Sequence, residues 1–543
     1  MSTQYSKHVG SKKTATQDQK ILGSNQVQNS DGHYVWAVDN WKRLDRWLIL
    51  GSEGGSYYAS ERALTQENAQ TVLECLKQNG ARTVARIVEV SDRGLAPKND
   101  PAIFALALAS VHGDEATRMY ANHAMPQVCR TGTHLFQWAA ARNDMAGWGR
   151  GARGAIARWY NSKDPDSLSY QLVKYQARNG WSHRDLLRLS HAKPVDEAHN
   201  QLYSFATGKL VIKGSALENP PDGLPEILQG FLAIQEAAVG GSEKQVAELI
   251  AQYNLPREVV PTEYLKSPAV WDALLQRMPL TALIRNLGNL SKSGLLKPLS
   301  AAEKLVVSKL GDAEYLKKSR VHPLNILVAA TTYAGGRGVR GAGQWEVSNK
   351  VVEALDGAFY AAFQNVTPAG KRFMLAVDTS GSMTMYNCNG IPSISARIGS
   401  AAMAMVTVAT EPQVHSIAFS NRAQELRLTS KMSLQEVVRE IESKGAVDTD
   451  ISAPMRHALE RKLEVDAFVV YTDNETNVSG RLQPAAALNQ YRDKMGIDAR
   501  LVVVGMVSNG FSVADPNDSG QLDCVGFDTT TPSVISGFAR GDI

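Results

Sequence analysis

The sequence predicts a large all-helical region followed by an α/β domain with a doubly wound parallel sheet. From residue 61 to about residue 363, apolar residues recur almost only at helical spacing. After residues 367–370 (TPAG), short continuous apolar runs alternate with helical patterns. Such runs are typical of parallel strands that are buried on both faces and joined by helical crossovers. The length of 543 residues also exceeds what one hydrophobic core usually supports.

The first part of the chain divides into a polar tail and a helical domain. Residues 1–30 are rich in Gln, Ser, Thr and Lys, and we expect them to be disordered. The helical domain, residues 31–365, is expected to begin with order near residues 34–36. The predicted helices cover residues 41–50, 68–78, 83–90, 102–109, 133–142, 149–160, 168–177, 225–238, 244–252, 270–276, 281–289, 301–310 and 323–333. Many short helices without coiled-coil heptads favour stacked antiparallel helix pairs over a single bundle, although no sequence repeat is visible.

The α/β domain is predicted to occupy residues 366–543. Its apolar runs predict strands over residues 372–377, 414–419, 467–471 and 500–505. The helical patterns between and after them predict helices over residues 396–410, 434–443, 451–462, 482–495 and 532–539.

Composition points to an ordinary globular protein with an uneven charge distribution. The chain is 43% hydrophobic and 21% charged, and no run reaches the roughly 18 apolar residues of a membrane helix. The first residues lack the apolar core of a signal peptide, and the four cysteines form no C-x-x-C pair, so we expect buried thiols and a cytoplasmic protein. From residue 366 onward there are 16 Lys and Arg against 20 Asp and Glu, whereas residues 1–365 hold 42 against 34. A basic helical domain suggests a polyanionic partner.

Polar residues at the ends of two predicted strands indicate a metal site. The first strand ends at Asp378, and Ser380 and Ser382 follow it in a turn; the third strand is followed by Asp473, and a polar loop between them carries Thr449. Ligands of open α/β sheets lie beyond the carboxyl ends of the strands. These five residues resemble the metal-ion-dependent adhesion site of von Willebrand factor A domains, and hard oxygen donors favour Mg²⁺. The alternative is that the two serines merely cap the turn.

The second informative region is residues 121–193, where basic and aromatic residues are interleaved. Eleven basic residues stand against four acidic ones. Arg and Lys neutralise phosphates, and aromatic rings stack on unpaired bases, so the mixture suits RNA or single strands. The candidate RNA-binding residues here are Arg130, Arg142, Arg150, Arg153, Lys174, Arg178, Arg184, Arg188 and Lys193. The alternative is that the tryptophans are core residues and the basic residues form a solvated face.

Two further features favour contact with RNA over catalysis. His183 and His191 are too far apart in sequence to share a metal without help from elsewhere, which favours a hydrogen-bonding or RNA-contacting role. Arg337 and Arg340 lie in a glycine-rich segment that no strand precedes, so a flexible loop touching the phosphate backbone fits better than a dinucleotide loop. The chain has no G-x-S-x-G, Walker or H-E-x-x-H motif, and no catalytic residue is predicted.

Several segments together resemble one known family. They are residues 31–36 (DGHYVW), 51–58 (GSEGGSYY), 128–136 (VCRTGTHLF), 179–191 (NGWSHRDLLRLSH), 278–288 (MPLTALIRNLG), 471–476 (YTDNET) and 505–511 (GMVSNGF). In this order they resemble the sixty-kilodalton Ro autoantigen family, in which a TROVE domain precedes a von Willebrand factor A domain. The resemblance spans nearly the whole chain after the polar tail.

The resemblance implies a ring of HEAT-like helical repeats that is closed by the von Willebrand factor A domain. It implies that Y RNA binds a basic outer surface, with His183 in the segment tied to that binding. It also implies that single-stranded 3′ ends of misfolded noncoding RNAs enter the ring hole. A 3′ exonuclease such as polynucleotide phosphorylase is the expected protein partner, and a divalent metal, most simply Mg²⁺, the expected cofactor.

Two functional hypotheses follow from these residues and from what the resemblance implies. The first is a non-catalytic, RNA-binding ribonucleoprotein component that acts in RNA quality control. The rival is a metal-dependent protein-interaction adaptor whose von Willebrand factor A domain is the functional part and whose basic helices are incidental. Salt-sensitive RNA affinity distinguishes the two, because only the first hypothesis requires it.

Overall fold

The helices and strands of the chain fall into two compact units. The computed structural model describes residues 16–20, 26–28, 34–36, 40–50, 61–94, 96, 98–210, 215, 223–338, 343–385, 387–388, 393–445, 448–473, 480–506, 513–515, 518–525, 527 and 531–541. By contacts, residues 69–312 and 333–354 form a helical unit, and residues 1–68, 313–332 and 355–543 form an α/β unit. This division differs from the boundary at residue 365 that the sequence suggested.

The helical unit consists of short helices that begin at well-defined capping residues. Its helices are α2 (Glu61–Asp92), α3 (Asp100–His112), α4 (Glu115–Val128), α5 (Gly132–Met145), α6 (Arg150–Asn161), α7 (Pro165–Lys174), α8 (His183–Ser190), α9 (Glu197–Thr207), α10 (Glu226–Ala237), α11 (Glu243–Tyr253), α12 (Pro268–Arg277), α13 (Leu280–Lys292) and α14 (Ala301–Gly311). Asp114, Asp164, Asp196, Ser242 and Ser300 each accept a hydrogen bond from the backbone N–H three residues later. These caps satisfy donors that a helix leaves free at its N-terminus.

Helix pairing in this unit follows the stacked arrangement that the sequence predicted. Helix α3 packs on α4 and α5, α4 on α6, and α6 on α8, so alternate helices lie against one another. Helix α2 is interrupted at Asn79, whose φ of −161° and ψ of 93° are not helical, and whose Oδ1 accepts from Arg82 N at 2.9 Å. The two helices predicted on either side of this residue are confirmed.

The α/β unit is built around a six-stranded sheet. Its strands are β5 (Arg372–Asp378), β6 (Gln413–Phe419), β7 (Ala423–Glu425), β8 (Ala467–Thr472), β9 (Arg500–Gly505) and β10 (Gln521–Val525). The order is β10-β9-β8-β5-β6-β7, and all neighbours are parallel except the pair β6 and β7. The four predicted strands and the parallel, doubly wound sheet are confirmed, while β7 and β10 were not predicted.

Helices cover the sheet and complete this unit. They are α1 (Asn40–Leu50), α18 (Ser382–Met385), α19 (Ala396–Thr410), α20 (Leu434–Glu442), α21 (Ala453–Glu460), α22 (Pro484–Met495) and α23 (Thr531–Arg540), with α15 (Ala313–Ser319) packing beside the 3-10 helix Ala362–Asn365. Helix α16 (Pro323–Ala334), helix α17 (Asn349–Ala361) and helix α2, through residues 61–68, each contribute residues to both units. The side chain of Asn365 donates to Leu316 O and Val321 O and so connects the segment of residues 313–332 to the rest of this unit.

Part of the N-terminal segment is ordered, contrary to the expectation for residues 1–30. Strand β1 (Gln26–Gln28) pairs with β2 (Tyr34–Trp36) in an antiparallel ladder. Gln17 is buried, and its Nε2 donates to Asp450 Oδ1 and Leu482 O, both at 3.3 Å. The disorder prediction is therefore wrong for residues 16–20 and 26–28, because buried amide hydrogen bonds compensate for the polar composition.

All four cysteines are free and buried, as the absence of a C-x-x-C pair suggested. Within the ranges that the structure describes, no helix has the length and apolar character needed to cross a membrane.

Candidate metal centre and nucleic-acid interface

The predicted metal residues lie at the carboxyl edge of the sheet. Strand β5 ends at Asp378, and its neighbour β8 ends at Thr472, directly before Asp473. Asp450 N donates to Ser420 O just beyond the end of β6, which brings Thr449 to the same edge. Asp378, Thr449 and Asp473 are all buried, with exposed fractions of 0%, 4% and 8%. Three separate segments thus place oxygen atoms at one end of the sheet.

Asp378 is held in a fixed orientation by two hydrogen bonds. Its Oδ1 accepts from Ser380 N at 2.8 Å, and its Oδ2 accepts from Thr472 Oγ1 at 2.7 Å. The hydroxyl groups of Ser380 and Ser382 lie 3.0 Å apart. One carboxylate and two serine hydroxyls therefore belong to one compact turn, as the sequence predicted.

The turn after β5 is fixed by groups that the sequence analysis did not identify. Arg397, on α19, is buried and donates through one nitrogen to Thr379 O and Ser380 O, both at 2.9 Å. Thr379 Oγ1 donates to Phe419 O and Gly445 O, both at 3.1 Å. Because one guanidinium binds two successive carbonyls, it fixes the backbone of the turn that carries Ser380.

The loop that carries Thr449 is fixed in a similar way by its neighbour Asp450. Asp450 is fully buried, and its Oδ1 accepts from Ser452 N at 3.0 Å and Ser452 Oγ at 2.6 Å. Its Oδ2 accepts from Arg456 at 2.5 Å, and Gln17 of the N-terminal segment also reaches Oδ1. A buried charge with this many partners is stable and restrains the backbone on either side.

The electrostatics of the site favour a bound cation. Burial, and after it the negative charge of Asp473, together raise the pKa of Asp378 to about 7. Two neighbouring carboxylates at low exposure are compensated best by a positive ion. The described residues contain no group of three or more His, Cys, Asp or Glu side chains suited to a metal. The candidate donors at this edge of the sheet are two carboxylates and three hydroxyls. Such hard oxygen donors fit Mg²⁺, which keeps several waters.

The predicted RNA-binding residues divide into exposed and buried groups. The exposed residues are Arg130, Arg150, Arg153, Arg178, Arg184, Arg188, Lys193 and Arg337, and Lys174 is half-buried. Arg340 lies outside the described residues. The exposed set comes mostly from α6, α8 and the segment between them, so the structure brings these cations to neighbouring elements.

Three of the exposed arginines, Arg178, Arg184 and Arg188, lie on a short hairpin and on the capped helix that follows it. Strands β3 (Ala177–Arg178) and β4 (Trp181–Ser182) are joined by Asn179 and Gly180, both with positive φ. An Asn-Gly pair is the expected sequence for such a two-residue turn. The hairpin was not predicted, although this pair indicates it. Ser182 and Asp185 form a reciprocal capping box at the start of α8.

Arg184 and Arg188 share the exposed side of α8. They are four residues apart, whereas the buried positions of this helix are His183, Leu186, Leu187 and Ser190. Arg178 lies on β3, which pairs with β4, and β4 leads directly into α8. We call Arg178, Arg184 and Arg188 the α8 cation surface.

Arg142 and His183 are buried, which corrects their prediction as RNA contacts. Arg142 has an exposed fraction of 7%, and its NH1 group donates to Ser110 O at 2.9 Å and Ser110 Oγ at 2.7 Å. His183 is 3% exposed, and its Nδ1 lies 2.8 Å from Tyr160 Oη. Burial lowers the pKa of His183 to about 3, so the ring is neutral near pH 7 and contributes no positive charge. Both side chains connect helices within the core.

The aromatic residues of this region are mostly core residues, as the alternative interpretation held. Trp138, Trp159 and Tyr160 are fully buried, and the Trp159 and His183 rings are stacked with their centroids 6.1 Å apart. Trp148 and Trp181 are half-buried and meet edge to face at 5.4 Å. Tyr170 is the most accessible of the set, at 36% exposed.

We expect Tyr160→Phe to lower the free energy of unfolding by about 1–3 kcal/mol, because it leaves the buried Nδ1 atom of His183 without its partner. Thermal melting measures this loss, and Tyr120→Phe, at an exposed tyrosine of α4, is the matched control with no expected change. RNA affinity of folded Tyr160→Phe protein should equal that of wild type. A loss of affinity at temperatures where the variant is folded would mean that this buried pair acts on RNA binding.

Comparison with known proteins gives consistent matches along the chain. Residues 27–216 and 253–335 match the TROVE domain, and residues 372–539 match the Ro60 vWA domain. The curated RNA-binding protein RO60 of Deinococcus radiodurans is 39% identical, with the match covering 96% of this chain and 97% of the relative. RNA-binding protein RO60 of Caenorhabditis elegans is 32% identical over 98% of this chain and 93% of the relative. The crystal structure of the Deinococcus radiodurans RO (RSR) protein superposes with a TM-score of 0.77 at 38% identity, covering 93% of this chain and 100% of that chain.

Proposed function

This chain belongs to the Ro60 family, and from that membership we propose that it is an RNA-binding component of a ribonucleoprotein. Two relatives that match over more than nine-tenths of this chain are named RNA-binding proteins. The observation that carries the proposal in this chain is the α8 cation surface. Three exposed guanidinium groups on adjoining elements suit the phosphates of a folded RNA.

Within this proposal, different parts of the helical unit bind different RNAs. Y RNA binds the α8 cation surface, with Arg150, Arg153 and Lys193 as neighbouring phosphate contacts. Single-stranded 3′ ends of misfolded or structured noncoding RNAs bind in the ring hole that the family resemblance predicts. The protein acts as a non-catalytic scaffold in RNA quality control and hands these ends to a 3′ exonuclease.

The proposed role of the α/β unit is to bind Mg²⁺ through Asp378, Ser380, Ser382, Thr449 and Asp473. When bound there, the ion stabilises the sheet edge and can accept a carboxylate from a partner protein. Contacts within the chain hold these side chains in place. Thr472 and the backbone N–H of Ser380 orient Asp378, and Arg397 fixes the turn after β5. This unit therefore supplies the protein-binding part of the scaffold.

Filter binding of the purified wild-type chain tests the proposal. The probes are a structured RNA with a single-stranded 3′ tail and the same RNA without the tail, each measured across a salt series. We expect tighter binding of the tailed RNA and a logarithm of affinity that falls linearly with the logarithm of salt concentration. Failure to bind either RNA at low salt would contradict the proposal and favour the metal-dependent adaptor.

A further inference from the structure

A second cationic feature of the helical unit is a groove that the sequence analysis did not identify. It has a volume of about 660 Å³ and lies between the end of α7, the residues that follow α11, the end of α12 and the first turns of α13. This volume falls within the roughly 300–1,000 Å³ that is usual for sites of small ligands. Its walls come from four segments of one compact unit, so the groove is a product of tertiary packing.

The charge of the groove is strongly positive. Lys174, Arg257, Arg277 and Arg285 line it, whereas Glu258 is the acidic residue among its lining residues. Arg277 and Arg285 are exposed, and within the described part of the chain their guanidinium groups have no ion pair or hydrogen bond. Arg257 is held against the ring of Trp271, with its guanidinium carbon 5.7 Å from the ring centroid. Guanidinium groups without a protein partner are suited to binding the oxygens of an external phosphate.

One end of the groove combines an aromatic ring with a charged amine. Lys174 Nζ donates to Tyr170 Oη at 2.8 Å and lies 5.0 Å from the centroid of that ring and 5.3 Å from that of Tyr175. Burial alone would lower the Lys174 pKa, but the Tyr170 hydrogen bond and the nearby acidic groups outweigh it and raise the pKa. The amine therefore stays charged, and it holds the partly exposed Tyr170 ring in place.

Helix α13 contributes side-chain amides to the groove. Asn286 Nδ2 donates to Ala282 O at 2.9 Å, and Asn289 Nδ2 donates to Asn286 Oδ1 at 3.0 Å. Both side chains are therefore oriented by the helix, and each keeps donor or acceptor capacity for a ligand. Amides of this kind bind the edges of nucleobases, which phosphate contacts alone do not distinguish.

We propose that this groove binds a short single-stranded segment of RNA. Its phosphates contact Arg277 and Arg285, and one unpaired base stacks on Tyr170 beside Lys174. An exposed ring favours a single strand, because the bases of a duplex already stack on each other. Lys174 stands four residues before Arg178, so the groove and the α8 cation surface draw on neighbouring parts of the sequence. The inference rests on the proposed RNA-binding function and adds this groove as a site for a single strand besides the ring hole.

The double variant Arg277→Ala/Arg285→Ala tests the phosphate contacts. The probes are a short single-stranded oligoribonucleotide and the blunt duplex of the same sequence, with affinity measured across a salt series. We expect single-strand affinity to fall roughly tenfold or more, and the salt dependence of its logarithm to become shallower by about 1.4, as expected for two lost contacts to a single strand. Duplex affinity should stay within twofold to threefold of wild type.

The matched control is Lys292→Ala/Lys304→Ala, which removes two exposed positive charges from α13 and α14 outside the groove. Equal losses in the two double variants would mean that net charge, and not the groove, determines affinity, which would overturn the proposal. Wild-type affinity in the Arg277→Ala/Arg285→Ala protein would also overturn it while leaving RNA binding itself intact. A wild-type chain that binds no RNA would instead contradict the proposed function.

Substitution of Tyr170 tests the stacking contact. Tyr170→Ala should weaken single-strand binding by roughly fivefold to a hundredfold, because a base stacked on an aromatic side chain contributes about that much. Tyr170→Phe keeps the ring, and we expect it to bind within about threefold of wild type. Equal binding by Tyr170→Ala and wild type would exclude the stacked base. Photocrosslinking of a 4-thiouridine oligonucleotide, followed by peptide mapping, should place the crosslink on the peptide that contains Tyr170.

Discussion

The triple variant Arg178→Glu/Arg184→Glu/Arg188→Glu is expected to bind a tailed, structured RNA at least about a hundredfold more weakly than wild type at moderate salt. Each reversal removes a guanidinium that can neutralise a phosphate and replaces it with a charge that repels one. The three residues occupy neighbouring elements, so the repulsion acts on one stretch of RNA backbone. Filter binding across a salt series measures the loss, and the dependence of affinity on salt should become shallower.

The fold should tolerate these changes, so the loss of affinity would reflect weaker RNA contacts and not unfolding. All three side chains are exposed. A glutamate at position 184 lies in the first turn of α8, where the helix dipole favours a negative charge, and one at position 188 lies in the last turn, where the dipole disfavours it. These two effects nearly cancel, and exposed substitutions usually change the free energy of unfolding by about 0.5 kcal/mol or less.

A second triple variant separates surface position from net charge. Lys266→Glu/Lys292→Glu/Lys304→Glu makes the same change in total charge at exposed positions elsewhere in the helical unit. We expect it to retain RNA affinity to within a few fold, since long-range repulsion is screened beyond roughly 10 Å at ordinary salt. If both triple variants lost affinity equally, the α8 cation surface would have no special part in binding.

The metal-site residues could be predicted from the sequence because each depends on a local pattern. A buried apolar run that stops at Asp378, and another that stops before Asp473, locate two strand ends, and parallel pairing then brings these ends together. The hydroxyls of Ser380 and Ser382 come with the same turn. The residues that hold this turn were not predictable in this way, because Arg397 reaches it from a helix that begins more than a dozen residues later.

The RNA-binding residues were harder to assign because composition does not distinguish a buried cation from an exposed one. Arg142 and His183 stand among aromatic residues just as the exposed arginines do, yet contacts to Ser110 and Tyr160 keep them in the core. Conversely, Arg277 and Arg285 lie about a hundred residues beyond Lys174, and only tertiary packing places all three around one groove. The edge strand β10 was not predicted because it carries Gln521 and Asp523 and has no continuous apolar run.

The variant Asp378→Asn is expected to abolish the stabilisation of the chain by Mg²⁺. For wild type, an Mg²⁺ concentration of about one hundred times the dissociation constant should raise the free energy of unfolding by about 2.7 kcal/mol. For a domain of this size, that corresponds to a rise in Tm of about 5–10 °C. The asparagine removes the carboxylate charge that attracts the ion, so melting of the variant should not depend on Mg²⁺. Differential scanning calorimetry with Mg²⁺ and with EDTA measures both values.

In EDTA the same variant should be at least as stable as wild type, which distinguishes loss of a ligand from loss of the fold. Asparagine has nearly the shape of aspartate, and its oxygen can still accept from Ser380 N, while its amide can donate to the Thr472 hydroxyl. The substitution also removes a buried negative charge beside Asp473, and this relief of repulsion favours the folded state.

Asp466→Asn is the matched control for the metal site. Asp466 lies directly before β8, at the opposite end of that strand from Asp473, and it accepts hydrogen bonds from the backbone and guanidinium of Arg372. Its replacement should lower Tm in both buffers but preserve the rise caused by Mg²⁺. A rise that survives in Asp378→Asn would place the metal elsewhere, and a wild type without any rise would exclude the site.

RNA affinity provides the last test of how function is divided along the chain. Asp378 belongs to the α/β unit, whereas the α8 cation surface and the proposed groove belong to the helical unit. Since phosphate binding depends on exposed guanidinium groups and not on a buried carboxylate, Asp378→Asn should bind tailed RNA with wild-type affinity and wild-type salt dependence. A folded Asp378→Asn protein that no longer bound RNA would show instead that RNA binding requires the metal site.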